Sequence, residues 1–208
     1  MPARPPANLR ERLRVVTREA HLRLEAEVDF DNRLTSLAAY RSFLEDFYRF
    51  VRPLEAALAK LDLASLGIDT DTRRKLPWIE ADLKDLGHTA ESLENLPAFG
   101  DVPAFTDPLD ALGALYVLEG SSLGRQVMLL KLRARLGIGR GRAGRFFSGY
   151  GNETGQMWQS FVAILNNAGT SPIAARRIET AALATFAAFE KCLAQGGRLR
   201  DGFGMTPR

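Results

Sequence analysis

Residues 111–137 read "ALGALYVLEGSSLGRQVMLLKLRARLG". Apolar residues recur there at three- and four-residue spacing, which predicts one helix, yet Gly113, Gly120 and Gly124 lie among them. A glycine inside a helix costs about 1 kcal/mol relative to alanine. The three glycines share one helix face within about 40°, which suits a flat ligand or a bend in the helix. A close crossing by another helix and a short break at "EGSSLG" are the alternatives.

Composition limits the class of protein. The chain has 208 residues, 46% of them hydrophobic, which is enough for one well-buried domain. Its net charge of +3 is too small to indicate nucleic-acid binding. The single cysteine, Cys192, excludes a disulfide framework and favours a cytoplasmic location. Residues 1–10 lack the apolar core of a signal peptide, and no apolar run reaches about 18 residues, so no membrane partner is expected.

Helical patterns extend over most of the chain. Asp107 and Pro108 predict the start of the glycine-bearing helix, and Pro53 predicts a kink or break in an earlier one. Together the patterns predict an all-α fold of six to eight helices in a single domain. Further helices are expected at about 8–28, 37–61, 72–86, 154–167 and 173–194, with mostly loop at 88–106 and a loop at 137–144. The expected organisation is a flexible arm at 1–7, a helical domain at 8–196 and a flexible tail at 197–208.

The sequence has two histidines, His21 and His88. His88 follows a predicted helix end at Gly87 and is expected to be an exposed loop residue. His21 lies at the margin of the apolar stripe of the first helix, and Glu25 follows four residues later. A carboxylate at this spacing can accept a hydrogen bond from one ring nitrogen, which leaves the other nitrogen available for a metal. The alternative is an ordinary surface pair between the two side chains.

A metal bound by His21 would have to bring its other ligands with it. The sequence offers no second suitable histidine and no carboxylate cluster with metal-ligand spacing. A porphyrin meets this requirement, because its four nitrogens leave an axial position for one histidine. Arg18 and Arg14, about one and two helical turns before His21, would then suit the propionates of the porphyrin.

Taken together, the histidine and glycine segments resemble a known family, heme oxygenase. The resemblance rests on "REAHLRLEAE" at 18–27 and "LEGSSLGRQV" at 118–127, and it is closest to the bacterial group associated with bacteriophytochromes, the biliverdin-binding photoreceptors. It extends from about Leu9 to Leu193 and includes "RFFSGYG" at 145–151 and "SPIAARRIETAALATF" at 171–186. The fold it implies is a heme-oxygenase-like helical bundle with heme between a proximal helix and a kinked distal helix.

The resemblance also implies a reaction, the oxidation of heme to biliverdin, carbon monoxide and ferrous iron. Heme would be both substrate and cofactor, dioxygen the oxidant, and a separate reductase or ferredoxin the electron donor. A bacteriophytochrome is the implied recipient of the biliverdin. The residues carried over from the family are the proximal ligand His21, its partner Glu25, the heme contacts Arg14, Arg18 and Tyr116, and the distal catalytic segment Gly120, Ser121 and Gly124.

The chain departs from the family pattern at three places. Ser121 stands where animal enzymes have an aspartate that anchors the water network for proton delivery, and Glu119, one residue before Gly120, projects about 100° away from that glycine. Arg125 stands where many relatives have a further glycine, and it is expected to point toward solvent or a propionate. Trp158 and Val162 occupy positions that carry propionate-binding basic residues in animal enzymes, so the biliverdin isomer stays open.

Two functions are compatible with these residues. The first is a heme oxygenase that supplies biliverdin. The second is a heme-binding protein for storage or sensing that keeps the fold without efficient turnover, because Ser121 provides no charge for proton delivery. An unrelated all-α interaction module would leave the glycines in the middle of the helix without a purpose.

Overall fold

Regular structure in the described residues, 8–31 and 34–202 of a computed structural model, is helical. No strand occurs among these residues, which confirms the all-α prediction, although the ten α-helices exceed the expected six to eight. The expected arm at 1–7 and the end of the expected tail, 203–208, lie outside the described residues. The helices are α1 (Leu9–Val16), α2 (Arg18–Val28), α3 (Leu37–Leu58), α4 (Thr70–Arg73), α5 (Leu76–Asp85), α6 (Ala90–Glu94), α7 (Pro108–Leu136), α8 (Arg145–Ser148), α9 (Thr154–Ala168) and α10 (Pro172–Gly202).

The first predicted helix is two helices, α1 and α2, which meet at Thr17. The Asn8 side chain caps α1 by accepting a hydrogen bond from the Glu11 amide at 3.0 Å. The Thr17 hydroxyl donates to the Leu13 carbonyl at 2.7 Å, a local bond that competes with continuation of the helix. The prediction of one uninterrupted helix over 8–28 is therefore wrong, and α2 carries His21 on a segment of its own.

The central helix α3 contributes a wide apolar face to the core. It begins after Ser36, whose side chain accepts from the Ala39 amide, and it continues past Pro53 to Leu58 without a break. Three of its aromatic residues, Tyr40, Phe43 and Phe50, are completely buried. One expectation around it is wrong, because α4 and α5 replace the single helix expected at 72–86. Residues 88–106 are mostly loop as expected, with the short helix α6 among them.

Helix α7 begins as its sequence predicts and then crosses α10 closely. Asp107 caps it and Pro108 occupies its first turn, and the helix continues through "EGSSLG", so the alternative of a short break there is wrong. At Gly113 an added Cβ would lie 2.5 Å from the Ile178 carbonyl oxygen of α10. The close-crossing alternative therefore accounts for Gly113.

The last helix, α10, supports both α2 and α7, which pack against it. Its start at Pro172 agrees with the sequence prediction, but it continues past Gly196 to Gly202, into the expected tail. Ion pairs tie it to the first two helices, with Arg12 at 2.9 Å from Glu179 and Arg23 at 3.4 Å from Glu190. In the part of the chain that the structure describes, no helix has the length and apolarity required to cross a membrane.

Candidate functional site

A cleft of about 330 Å³ opens between α2 and α7. Its inner surface consists largely of apolar side chains from α3, α7 and α10, and its outer edge carries arginines from α1 and α2. A concave apolar site with a few convergent polar groups is typical of small-molecule binding. The lining residues are Arg10, Arg14, Thr17, Arg18, His21, Leu22, Leu24, Phe47, Phe50, Val51, Lys75, Tyr116, Val117, Leu118, Gly120, Ser121, Arg125, Phe146, Trp158, Phe186 and Phe189.

His21 lies on the α2 wall of this cleft with half of its side chain, 53%, exposed. Its Nδ1 is 3.5 Å from Glu25 Oε1, the pair that the four-residue spacing predicts. The ring meets Phe186 of α10 edge to face, with ring centroids 5.9 Å apart. The pair with Glu25 orients the imidazole and leaves Nε2 as the nitrogen that can bind a metal.

Arginines surround His21 at the outer edge of the cleft. Arg14 and Arg18 are exposed and line the cleft, and Arg10 lies one turn before Arg14 on the same side. These three cations can bind carboxylates in bidentate fashion. The structure therefore gathers the predicted propionate contacts and His21 at one mouth of the cleft.

The opposite wall is the middle of α7. Gly120 and Ser121 line the cleft, and a Cβ at Gly120 would approach only the Trp158 ring, at 3.8 Å. Tyr116 lies one turn earlier, 6.1 Å from the Trp158 ring centroid, and burial raises the pKa of its phenol, so it stays protonated. The Ser121 hydroxyl donates to the Leu118 carbonyl at 2.8 Å. From Tyr116 to Ser121 the residues of this wall that line the cleft offer backbone, an aromatic ring and two hydroxyls, and none of them is charged.

Two predicted residues lie outside the described lining, Glu25 and Gly124. Glu25 is connected to the cleft through its pair with His21. Gly124 lies one turn beyond Gly120 on α7, and a Cβ there would meet no atom within 4 Å. The open space beside Gly124 thus continues the bare face of the helix beyond the cleft itself.

A buried polar cluster lies beneath the cleft wall and was not expected from the sequence. Glu119, only 1% exposed, accepts hydrogen bonds from Lys75 Nζ at 2.7 Å and from the Tyr150 hydroxyl at 2.8 Å. Arg73 lies 3.3 Å from the second carboxylate oxygen. Lys75 is as deeply buried as Glu119 and also lines the cleft, and burial lowers its pKa to about 8. Glu119 therefore pairs with these cations and is not available to replace the missing aspartate.

Arg125 corrects a second expectation. It does not point toward solvent but turns inward, 3% exposed, and lines the buried end of the cleft. Its guanidinium lies 4.5 Å over the Phe146 ring, donates to the Phe146 carbonyl at 3.2 Å and contacts the Ser122 hydroxyl. Nε has no hydrogen-bond partner among the described residues.

His88 is not the exposed loop residue that its position after Gly87 predicted. Its side chain is 12% exposed, with Nε2 at 2.8 Å from Glu45 and Nδ1 at 2.9 Å from Ser92. Both ring nitrogens are therefore occupied by protein groups far from the cleft lining, which leaves neither for a metal.

Comparison with known proteins places the chain in a family. The family model described as heme oxygenase matches residues 7–195. The chain is 33% identical over 160 residues to heme oxygenase PigA of Pseudomonas aeruginosa, covering 76% of this chain and 78% of the relative. It is 30% identical over 159 residues to a heme oxygenase of Xanthomonas campestris, covering 76% of this chain and 91% of the relative. The chain belongs to the heme oxygenase family.

Solved structures share its fold. A heme oxygenase from Neisseria meningitidis, solved with NO and CO bound, superimposes with a TM-score of 0.76 at 22% identity, over 97% of this chain and 94% of that one. Heme oxygenase 2 of Chlamydomonas reinhardtii, solved without heme, gives a TM-score of 0.70 at 17% identity, over 90% and 96%. The helical bundle predicted from the sequence is thus the fold of these enzymes.

Proposed function

We propose that the cleft between α2 and α7 binds heme and that the protein cleaves heme oxidatively to biliverdin, carbon monoxide and ferrous iron. Membership of the heme oxygenase family supports the reaction. The observation that carries the choice of site is the half-exposed His21 imidazole at the mouth of an apolar cleft whose far wall is the bare backbone of Gly120.

The residues present fit a heme. Aromatic side chains of α3 and α10, Phe47, Phe50, Phe186 and Phe189, form an apolar floor for a flat macrocycle. Cations at the outer edge match the two carboxylates that a heme carries. Bound heme supplies the iron that activates dioxygen, and it is also the molecule that is cleaved.

The α2 side holds and orients the substrate. His21 binds the iron through Nε2, while Glu25 on Nδ1 fixes the tautomer and the direction of the ring. Arg14 and Arg18 bind the propionates at the mouth of the cleft, where their exposure keeps the cost of desolvation small. The apolar floor excludes water from the remaining edges of the macrocycle.

The α7 side controls what dioxygen can reach. Backbone at Gly120 and the open face at Gly124 leave room for a small molecule without offering a side chain that would react with it. The Ser121 hydroxyl uses its only proton on the Leu118 carbonyl, so it can accept but not donate a hydrogen bond. It therefore holds a water in the cleft by that water's own hydrogen, and protons travel through ordered water.

The proposal also includes the electron donor, the location of the reaction and the use of its product. A separate reductase or ferredoxin delivers electrons from outside the chain, and the reaction takes place in the cytoplasm. The biliverdin released serves as a bilin chromophore, with a bacteriophytochrome as its recipient.

Reconstitution with hemin tests the reaction. Addition of a reductant system under air should decrease the Soret band while the absorbance of biliverdin increases at long wavelength. A Soret band that stays constant under these conditions would favour heme storage or sensing. The observation that supports this second function is the uncharged hydroxyl of Ser121 in the cleft. Absence of heme binding would refute both functions.

Paired histidine variants test the ligand. His21→Ala should remove the axial-histidine spectrum of the hemin complex, and added imidazole should restore it. The matched His88→Ala variant should keep that spectrum, although it loses about 1 kcal/mol of stability with its two buried contacts. If His88→Ala disrupts the spectrum and His21→Ala does not, the assignment of His21 as the ligand is wrong.

A further inference from the structure

The inner end of the cleft contains more positive than negative charge. Lys75 and Arg125 line the cleft there and Arg73 lies behind them in contact with Glu119, and each of the three is at most 6% exposed. Glu119 gives one oxygen to Lys75 and the other to Arg73. Arg125 in turn bonds to a carbonyl and a hydroxyl, neither of which carries a charge.

Arg125 gives its hydrogen bonds to uncharged groups, and the carboxylate of Glu119 acts on its guanidinium only through space. Glu55 is buried beside the cluster, but its Oε1 accepts from the backbone amides of Lys75 and Leu76, and its Oε2 lies 3.6 Å from Arg74. A buried cation whose hydrogen-bond partners carry no charge is costly in a medium of low dielectric constant. Such a cation attracts any small anion that can enter the cleft.

One atom of Arg125 marks where an anion would bind. The guanidinium is fixed by stacking on Phe146 and by its two terminal nitrogens, while Nε is buried and has no partner among the described residues. An N–H left without an acceptor costs about 1–3 kcal/mol. An acceptor from solution that occupies this position removes that cost, and a negatively charged acceptor also offsets the charge.

We propose that Arg125, with Lys75 beside it, forms a binding site for a small monovalent anion at the buried end of the cleft. Both side chains line the cleft, and they belong to different elements, α7 and the segment before α5.

The site has a consequence when heme is bound, and this part rests on the proposed function. Two cations at the inner end of the cleft favour anionic over neutral ligands of the iron. They also favour negative charge that develops on oxygen inside the cleft, which is electrostatic stabilisation by groups already in place before the reaction. Ser121 would then hold water in the cleft, and Arg125 and Lys75 would supply the charge that the Ser121 hydroxyl lacks.

The apoprotein provides the first test, without heme. The Arg125 Nε–H signal is identified in a nitrogen–proton NMR spectrum as the one missing from the Arg125→Met variant. Azide should shift this signal in a saturable way. Arg133→Met, an exposed arginine on the same helix, should leave the titration unchanged. A signal that stays fixed throughout the azide titration overturns the proposal.

The ferric heme complex provides the second test. Arg125→Met should weaken azide binding by about tenfold, the loss of one charge-assisted hydrogen bond, and leave the affinity for neutral imidazole within about twofold. Arg125→Lys should recover part of the azide affinity. If Arg125→Met does not fold, Lys75→Gln should shift the azide-to-imidazole ratio in the same direction. An unchanged ratio in these variants overturns the site, whereas failure of the wild type to bind heme refutes only the proposed function, since the azide titration of the apoprotein still decides the site.

Discussion

Two stretches of α7 carry glycines in different surroundings. At Gly113 the helix touches the backbone of α10, and a Cβ would lie 2.5 Å from Ile178 O and 2.6 Å from Ala182 N. Around Gly124 a Cβ would meet no atom within 4 Å. The same residue type therefore permits contact between helices at one point of α7 and leaves space for another molecule eleven residues later.

The central stretch of α7, beside the cleft, is held in place by contacts on its inward face. Its outward face is bare, but its inward face carries two buried charged residues, Glu119 and Arg125. Glu119 accepts hydrogen bonds from Lys75 and Tyr150, and Arg125 donates to the Phe146 carbonyl. Stability of α7 thus comes from helix contact at its first turns and from buried charges at its centre. Substitutions on the two faces of the central stretch should separate stability from ligand binding.

The largest expected effect is the loss of the buried carboxylate. Glu119→Gln leaves Lys75 and Arg73 without a counter-charge, and it should lower the free energy of unfolding by about 4 kcal/mol. Urea denaturation of the apoprotein measures the change. The exposed Glu94→Gln variant should remain within about 0.5 kcal/mol of the wild type. Equal effects of the two substitutions would contradict a structural role for the cluster.

The next effect concerns the helix crossing. Gly113→Ala forces a methyl group against the backbone of α10, which cannot move aside as a flexible side chain would. It should destabilise the apoprotein by about 3 kcal/mol, at the upper end for overpacked sites. A urea midpoint equal to that of the wild type would show that the crossing is looser than the structure describes.

The buried lysine should give stability a pH dependence. Burial lowers the pKa of Lys75 to about 8 from 10.5. Between pH 8 and pH 10 the unfolded chain consequently holds more of this proton, so stability from this group rises with pH. The free energy of unfolding of the wild type, relative to Lys75→Met, should increase by about 2 kcal/mol over that range.

The control for this pH effect is the exposed Lys84. The difference between the wild type and Lys84→Met should stay constant over the same range, because the Lys84 side chain is exposed to solvent in the folded protein as well as in the unfolded chain. A constant difference for Lys75→Met as well would mean that Lys75 is solvated in the folded protein.

The smallest effect has the opposite sign. Gly124→Ala replaces a helical glycine where nothing opposes the methyl group, so the apoprotein should become more stable by about 0.5–1 kcal/mol. If the bare face accommodates substrate, hemin affinity or turnover should fall in the same variant. A gain in stability with unchanged hemin binding and turnover would remove Gly124 from the catalytic segment.

The sequence predicted the parts of the site that depend on local spacing. His21 with Glu25 and the glycines of α7 follow from positions four or seven residues apart on one helix, and the structure brings His21 and Gly120 to one cleft. The end of α1 at Thr17 could not be predicted in this way, because the junction contains no glycine or proline. Instead, the Thr17 side chain forms a hydrogen bond with the Leu13 carbonyl where α1 ends. A local pattern of apolar residues continues unchanged across that junction.

The buried cluster could not be predicted in this way. It joins positions 75, 119 and 150, which are distant in sequence. Nothing in "RRKLPW" distinguishes Lys75, with 1% of its side chain exposed, from Arg74, with 45% exposed. The direction of Arg125 likewise depends on the space left by Phe146, a residue of another helix.

The close crossing at Gly113 sets the width of the cleft, although Gly113 itself is not among the residues that line the cleft. Both walls of the cleft rest on α10: α2 through its packing and the Arg23–Glu190 pair, α7 through the contact at Gly113. The separation of the walls is therefore fixed by how deeply α7 sits on a third helix. A chain of this family could adapt its cleft to a thicker or thinner molecule by changing the size of one residue at that crossing, with every group that touches the substrate left as it is.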